Sequence, residues 1–427
     1  MKKGKLIAIC LIISISALTI NVISFDTTEL EKSVAESDHE QTKPEIQWNQ
    51  TYDYKDCYIN EALISQTKDG GFVLACSPSS YSVSADIWLV KTDENGVVEW
   101  NHTYGGSGGD LVCVLIQTMD GGFALASMGM WLVKTDDKGV MQWNRSYAAG
   151  TGPDVAYALI QTTDGGFALA GYTRPRDARF DDMWLIKTDA NGVAEWNQTY
   201  GGTGSFETTH DGAKALIQTT DGGFILAGYA NTGNDMWLVK TDTKGKAQWN
   251  ETYGRGVAKA LIQTVDGDIV IAGTTGSNTI SSYDMWLVKT DMNGVIQWNQ
   301  TYGGTGTEDA YSFIQTADGG FALIGSTKSY GAGRSDMWLV KTDVNGVAEW
   351  NQTYGGTEDD WGTDLLQTTD GDFVLAGLTN SFADDGVDVW LIKTGSTSET
   401  TTGLEILPLL AAVIVLLSCY KRKNKKS

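Results

Sequence analysis

Three short motifs, each written seven times in one fixed order, constrain this chain more than anything else in it. The motif [MIV]-W-L-[VI]-K-T carries Trp88, Trp131, Trp184, Trp237, Trp286, Trp338 and Trp390, at spacings of 43, 53, 53, 49, 52 and 52 residues. The motif W-N-x-[ST]-Y starts at Trp48, Trp100, Trp143, Trp196, Trp249, Trp298 and Trp350. The motif Q-T-x-D-G carries Asp69, Asp120, Asp164, Asp221, Asp266, Asp318 and Asp370. A unit of this size cannot bury its apolar face alone and must stack on its neighbours.

Each unit reads as four short strands. In the third repeat these are 158–162 (ALIQT), 167–171 (FALAG), 183–188 (MWLIKT) and 193–200 (VAEWNQTY). The runs are short, alternate, and are separated by turn signals, which argues for strands over helices. Thr163-Asp164-Gly165-Gly166 and Asp189-Ala190-Asn191-Gly192 supply the tight hairpins. The phase of the repeat is offset. Residues 45–52 (EIQWNQTY) form a lone fourth strand, and the last unit stops at Thr394 after three. Pairing the two completes a seventh blade and leaves no bare edge. The sequence therefore predicts an all-β fold, a seven-bladed β-propeller of four-stranded blades over residues 45–394, closed by its N-terminal strand, with a solenoid as the weaker alternative.

The stretch W-L-[VI]-K-T-D-x-x-G-x-x-x-W resembles the Trp-bearing motif of quinoprotein-type (PQQ-like) propellers, and T-x-D-G-G-F-x-L-A-G resembles the core of the delta-60 repeats of bacterial and archaeal surface proteins. Likeness to kelch repeats is looser. The resemblance covers about residues 45 to 394 and implies the fold; one fold hosts many functions, so it implies little about activity. The turn of Asp189, Asn191 and Val193 partly matches the motif of bulb-type mannose lectins. Lys187 and Glu195 depart from that motif, so mannose binding is not carried over.

Both ends read as addressed to a membrane. Lys2, Lys3 and Lys5 precede an apolar run from Leu6 to Phe25, so residues 1–25 read as a signal peptide or an N-terminal anchor. Residues 26–44 form a polar linker. Residues 395–403 (GSTSETTTG) make a Ser/Thr stalk, 404–420 a transmembrane helix, and 421–427 (KRKNKKS) a basic cytoplasmic tail. That ending also resembles the tripartite tails that surface-sorting peptidases process. The implied location is the cell membrane, single-pass, with the repeats extracellular. The formal charge of −22 argues against nucleic acid, which needs a basic face. Of five cysteines, Cys10 and Cys419 lie in the apolar ends; Cys57, Cys76 and Cys113 have no C-x-x-C spacing and form neither a disulfide framework nor a zinc site.

Candidate sites come from comparing the repeats with one another. The loops joining strands one to two and three to four keep one length, while those joining strands two to three and blade to blade vary. Both variable sets project from one face, and loops on a rigid scaffold commonly carry recognition. Tyr172, Arg174, Arg176, Arg179, Phe206, His210 and Trp361 are the candidate ligand-binding residues there, because aromatics and Arg anchor interfaces. Asp110, Asp154, Asp211, Glu308 and Asp360 recur eight residues before the Thr that ends the first strand. As a ring they could hold Ca²⁺; as turn caps they would be structural. Asn49, Asn101, Asn144, Asn197, Asn250, Asn299 and Asn351 each open an N-x-[ST] glycosylation acceptor in the outermost strand.

No nucleophile–base pair or phosphate loop breaks the repeat, and quinoprotein-type cofactor residues are not seen. The chain therefore reads as a non-catalytic surface propeller, without cofactor unless Ca²⁺ binds, that takes a surface glycan or an extracellular protein through its variable-loop face. The alternatives are a structural glycosylated envelope component and an extracellular enzyme of quinoprotein-like type.

Overall fold

The computed structural model describes residues 43–395 apart from 54–57, 80–85, 106–109, 149–152, 175–179, 202–209, 231–234, 277–281 and 384–385, together with 10–11 and 22–23. The chain divides into two units, Met1–Thr42 and Lys43–Ser427. In the first, Cys10–Leu11 pairs antiparallel with Val22–Ile23. Among the described residues no helix is long and apolar enough to cross a membrane. The expected stalk, membrane segment and basic tail, and nearly all of the signal and linker, lie outside the described residues.

The second unit is a seven-bladed β-propeller of four-stranded antiparallel sheets. Six blades are continuous in sequence, covering residues 58–104, 112–146, 155–200, 212–252, 256–302 and 308–354. The seventh joins Asp360–Gln367, Phe373–Thr379 and Asp388–Gly395 to Glu45–Tyr52, which pairs with the last of these from Glu45↔Gly395 to Tyr52↔Val389. The first strand of every blade lies beside the first strands of both neighbouring blades, so these strands form the inner wall of the ring.

Alternation explains what fills the gaps between blades. Each sheet is covered on both faces by its neighbours, so its two middle strands read as continuous apolar runs: Phe167–Thr173 and Asp182–Thr188 are buried almost throughout. One apolar cluster occupies each junction; at blades three and four, Ala168, Ala170, Met183 and Leu185 meet Leu216, Phe224, Leu226 and Trp237.

The three motifs account for how blades are tied. The fourth-strand Trp packs on the second-strand Phe of the next blade, as in Trp143–Phe167 with ring centroids 5.7 Å apart and Trp196–Phe224 at 5.8 Å. The Tyr that ends the same motif donates its hydroxyl to a glycine carbonyl in the next blade's last hairpin: Tyr52 to Gly96, Tyr147 to Gly192, Tyr200 to Gly245, Tyr302 to Gly346. Tyr354, facing the blade where that hairpin is absent, reaches the Pro44 carbonyl instead. Gly192 has φ of +73°, and a side chain there would strike the Trp143 ring, so glycine is required twice over.

In Q-T-x-D-G the Asp caps its own turn. Asp164 accepts from Thr162 Oγ1 at 2.6 Å and from the Gly166 amide at 3.0 Å. It also receives the ammonium of Lys187, buried in the third strand, at 2.8 Å. The equivalent Lys–Asp pair recurs in every blade at 2.8 to 3.3 Å. Burial alone would raise these carboxyls; the hydroxyl, ammonium and amide donors outweigh it and hold Asp69, Asp164 and Asp221 at about 2. The motif Gln bridges blades from below, Gln161 accepting the Met119 amide at 2.7 Å and Gln218 that of Thr163 at 2.9 Å.

Candidate functional site

The inner strands carry a feature that the sequence pattern concealed. Every one contains a β-bulge near its start, where the register slips past an extra residue. In blades two to seven that extra residue is Cys113, Tyr157, Lys214, Lys259, Tyr311 and Thr363. All six are half-buried. The bulge also explains why the third repeat's first strand starts at Val155, three residues before the alternation predicts: the extra residue breaks the period of two. A bulge aims its side chain away from the ladder, so the scaffold repeats the geometry while the chemistry changes from blade to blade.

Neighbouring bulge residues meet. Lys214 Nζ lies 3.0 Å from the Tyr157 ring centroid across the junction of blades three and four, and Lys259 Nζ lies 5.6 Å from that of Tyr311 across the junction of five and six. At the closing seam Thr363 donates to the Ala62 carbonyl of blade one. Beside it, Asp364 accepts the Ile64 amide at 3.1 Å and the Leu365 amide at 2.9 Å. Burial raises the Asp364 carboxyl to about 6, against the opposing pull of these amides and the Ser312 hydroxyl.

Above Tyr157 stand two tyrosines at equivalent second-strand positions. Tyr172 lies 5.9 Å from Tyr157, ring to ring, and Tyr229 lies over Gly212, whose missing side chain leaves room for the phenol. Burial raises the Tyr229 hydroxyl to about 12, with the charges of Tyr172, Asp181 and Asp211 adding to it. Next to them Asp181, 7% exposed, takes Arg174 Nε at 2.7 Å on one oxygen and His210 Nδ1 at 2.7 Å on the other. Phe180 stands edge-on to His210 at 5.1 Å. Asp181 thus clamps the loop between the second and third strands of blade three to the connection entering blade four.

Of the predicted ligand-binding residues, Tyr172, Arg174 and His210 come together at this mouth. Arg176, Arg179 and Phe206 lie outside the described residues. Trp361 does not join them and is not in a loop: it lies in the strand Asp360–Gln367, opposite Leu378, and packs half-buried against the core between blades seven and one. Tyr157, Asp181, Lys214 and Tyr229 were missed. For Tyr157 and Lys214 the sequence signal was that one aligned position differs from repeat to repeat.

The five predicted metal carboxylates are not gathered in a ring. Each belongs to a different blade, and Asp154, Glu308 and Asp360 take protein donors there. Asp154 accepts from Thr173 Oγ1 at 2.5 Å. Fully buried Glu308 accepts from Thr327 Oγ1 and the Gly304 amide, both at 3.0 Å. Asp360 accepts from the Thr379 hydroxyl and from Ser381 Oγ at 2.6 Å. Asp211 is buried where its amide meets the Asp181 carbonyl. Asp110 stands beside Asp86, and Glu308 beside Asp284. Burial first, then that neighbouring charge, raises the carboxyls of Asp86 and Asp284. Among the described residues no group of three or more His, Cys, Asp or Glu is arranged to hold a metal ion.

Asn49, Asn101, Asn144, Asn197, Asn250, Asn299 and Asn351 are all exposed on the outermost strands. Each also accepts, through Oδ1, the indole N–H of the third-strand Trp at 3.1 to 3.4 Å. The repeated Asn therefore has a structural use, satisfying a mostly buried indole.

No protein-family model matches the chain, and no curated protein matches it. Solved structures do. The WD40 domain of Pan2 from Neurospora crassa aligns with a TM-score of 0.53 at 13% identity, over 82% of this chain and 95% of that one. A protein of unknown function from Dyadobacter fermentans aligns at 0.48 and 12% identity, over 83% and 99%. BamB from Moraxella catarrhalis aligns at 0.44 and 12%, over 82% and 100%. Identities this low speak to the fold alone, and it is the propeller fold that the Pan2 domain shares. Neither the quinoprotein nor the delta-60 family is shown by them, so that likeness stays at the level of motifs.

Proposed function

We propose that this propeller is a non-catalytic binding module displayed outside the cell, taking a glycan or protein ligand at the mouth of blades three and four. One observation carries the reading. The residues written seven times are engaged in holding the ring together, whereas the residues that differ between blades gather at one end: Tyr157, Tyr172, Lys214 and Tyr229, with Asp181, Arg174 and His210 bracing the loops. Phenols and cations on a rigid wall suit recognition, and rigid placement lowers the ordering cost of binding. The apolar and basic ends of the sequence support membrane attachment with the ring outside.

The test is a binding screen of the purified full-length protein against envelope polysaccharides and extracellular proteins, with and without Ca²⁺. A saturable ligand, lost in Tyr172→Ala while the melting temperature holds, supports the reading. A ligand that survives Tyr172→Ala and Lys214→Met places recognition elsewhere.

The exposure of all seven acceptor asparagines favours a second reading, a glycosylated envelope component. The indole bond uses Oδ1 rather than Nδ2, the atom that would carry a glycan, although Asn144 Nδ2 also contacts Met141 Sδ. Intact-mass analysis of protein from its native envelope decides it: occupied rim sites support a structural role, and unmodified Asn at all seven positions removes it.

A further inference from the structure

On the face of the short hairpins, exposed apolar side chains recur with the blades. The residue after the glycine of the third-to-fourth-strand hairpin is Val97, Val140, Val193, Val295 and Val347 in blades one, two, three, five and six, each more than half exposed. The amide of each donates to the Asp that opens the turn at 2.8 to 2.9 Å, so the backbone is engaged while the side chain stands in solvent. The turn does not require an apolar residue there. In blade four Lys246 makes the same bond at 2.9 Å. These hairpins follow one another around the ring, because the fourth-strand Tyr of one blade reaches the hairpin glycine of the next. The valines therefore form a rim.

The closing seam opens on the same face. Glu45 pairs with Gly395 at the place where the other blades have that hairpin, so the chain enters and leaves the ring there. Ile46, 43% exposed, continues the rim at the seam. Beyond Gly395 the stalk has eight residues, 396–403, before the apolar run 404–420. Fully extended, it reaches at most about 28 Å. The third strand of the seventh blade, Asp388–Gly395, has eight residues and is itself about 26 Å tall. A stalk that doubled back along the ring would use its whole length on that height. The apolar run is therefore kept on the side of the valines.

We propose that the short-hairpin face rests on the bilayer, its valine rim dipping into a zwitterionic phospholipid surface, and that the variable-loop face is thereby turned outward. This rests on reading 404–420 as a membrane span, and it adds an orientation and a lipid contact to display outside the cell. A β-branched side chain on a rigid turn buries apolar area with little ordering cost. Lys138 in blade two and Lys244 and Lys246 in blade four are exposed on the same hairpins. Their stems can lie along the interface while their ammonium groups meet lipid phosphates. The net charge of −22 disfavours an anionic leaflet, so a zwitterionic one is the fitting surface.

The experiment uses the full-length protein in phosphatidylcholine vesicles containing a tracer lipid with a carbene-forming headgroup, and maps lipid adducts by mass spectrometry. Adducts are expected on the 404–420 segment and on peptides carrying Val97, Val193 and Val347. The latter should exceed those on Tyr283, Tyr330 and Phe382, exposed on the variable-loop face, by at least about fivefold. The triple variant Val97→Glu, Val193→Glu, Val347→Glu should bring its hairpin adducts down to the level of those aromatics and keep the 404–420 adducts. Its melting temperature should move by no more than about 2 °C, because these side chains are exposed. Hairpin adducts unchanged in the triple variant overturn the lipid contact. Adducts equal on both faces, or on 404–420 without the hairpins, overturn the inference and leave the membrane span standing. No adduct on 404–420 overturns the span, and this inference with it. Hairpins that cross-link to a second copy in place of lipid also overturn it.

Discussion

The two faces of the ring are made by the same strands and obey different rules. On the face of the short hairpins, each blade repeats the same turn: Thr, Lys and Gly converge on one Asp, as at Asp164, and a Gln reaches back to the preceding blade, as Gln218 does to Thr163. On the opposite face the backbone geometry still repeats, down to the bulge in each inner strand, but the side chains placed there do not. The difference teaches where to look for function in an internal repeat. Residues that recur in every copy are explained by the closure of the ring, and a position whose geometry recurs while its chemistry varies is free to serve a ligand.

Removing a residue of the first kind should cost stability and little else. Phe224 is 1% exposed and fills the gap between blades three and four beneath Trp196. Phe224→Ala should destabilise by about 3–5 kcal/mol, read as the shift of a chemical-unfolding midpoint, with binding by the folded fraction intact. Failure to see a loss above about 1 kcal/mol would mean that the junctions are not tightly packed.

Titration sharpens the comparison. The Asp364 carboxyl at about 6 lies above its unfolded value near 4, so its contribution is complete at low pH and is lost as pH rises from about 4 through about 6. Asp69, Asp164 and Asp221 at about 2 lie below their unfolded values. Their contribution is present above about pH 4 and is lost as pH falls toward about 2. Stability should therefore peak at about pH 4–5. Asp364→Asn should flatten the fall above the peak, an effect of at most about 3 kcal/mol. A stability profile that rises from pH 4 to pH 7 would contradict the assignment of Asp364.

A smaller effect tests the stitching between blades. Tyr200→Phe removes only the hydroxyl bonded to the Gly245 carbonyl at 2.6 Å and should cost about 1 kcal/mol. Leaving that carbonyl without its donor should also speed amide exchange in the last hairpin of blade four before it affects blade six. The least effect on stability is expected from Asp181→Asn, which keeps the shape of the clamp and removes its charge. Its melting temperature should move by no more than about 2 °C, while ligand affinity falls, because Arg174 and His210 are released from the mouth.

Much of this was legible in the sequence because the scaffold repeats itself. Seven copies of W-N-x-[ST]-Y told of a strand, and the structure supplies the reason for each letter: Trp196 packs on Phe224, Asn197 accepts from Trp184, and Tyr200 reaches Gly245. Of the residues expected on the variable-loop face, Tyr172, Arg174 and His210 come together. What stayed hidden depended on contacts between segments far apart in the chain. Trp361 looked like a loop anchor because the bulge at Thr363 disguises the strand it begins. Asp181 carried no signal in the sequence; only folding brings His210, 29 residues on, to its second oxygen. The carboxylates at Glu308 and Asp360 suggested a metal ring because alignment shows that they recur, while the Thr327 and Thr379 hydroxyls that occupy them are nineteen residues away.

The central claim is that recurring residues hold the ring and the differing ones at its mouth bind a ligand. Measuring melting temperature and ligand affinity together in a Tyr172→Ala, Lys214→Met double variant tests it most directly. The account predicts a melting temperature within about 3 °C of the parent protein and loss of the ligand found in the screen. A drop in melting temperature as large as that of Phe224→Ala, with affinity unchanged in the protein that remains folded, would show that these residues belong to the scaffold after all.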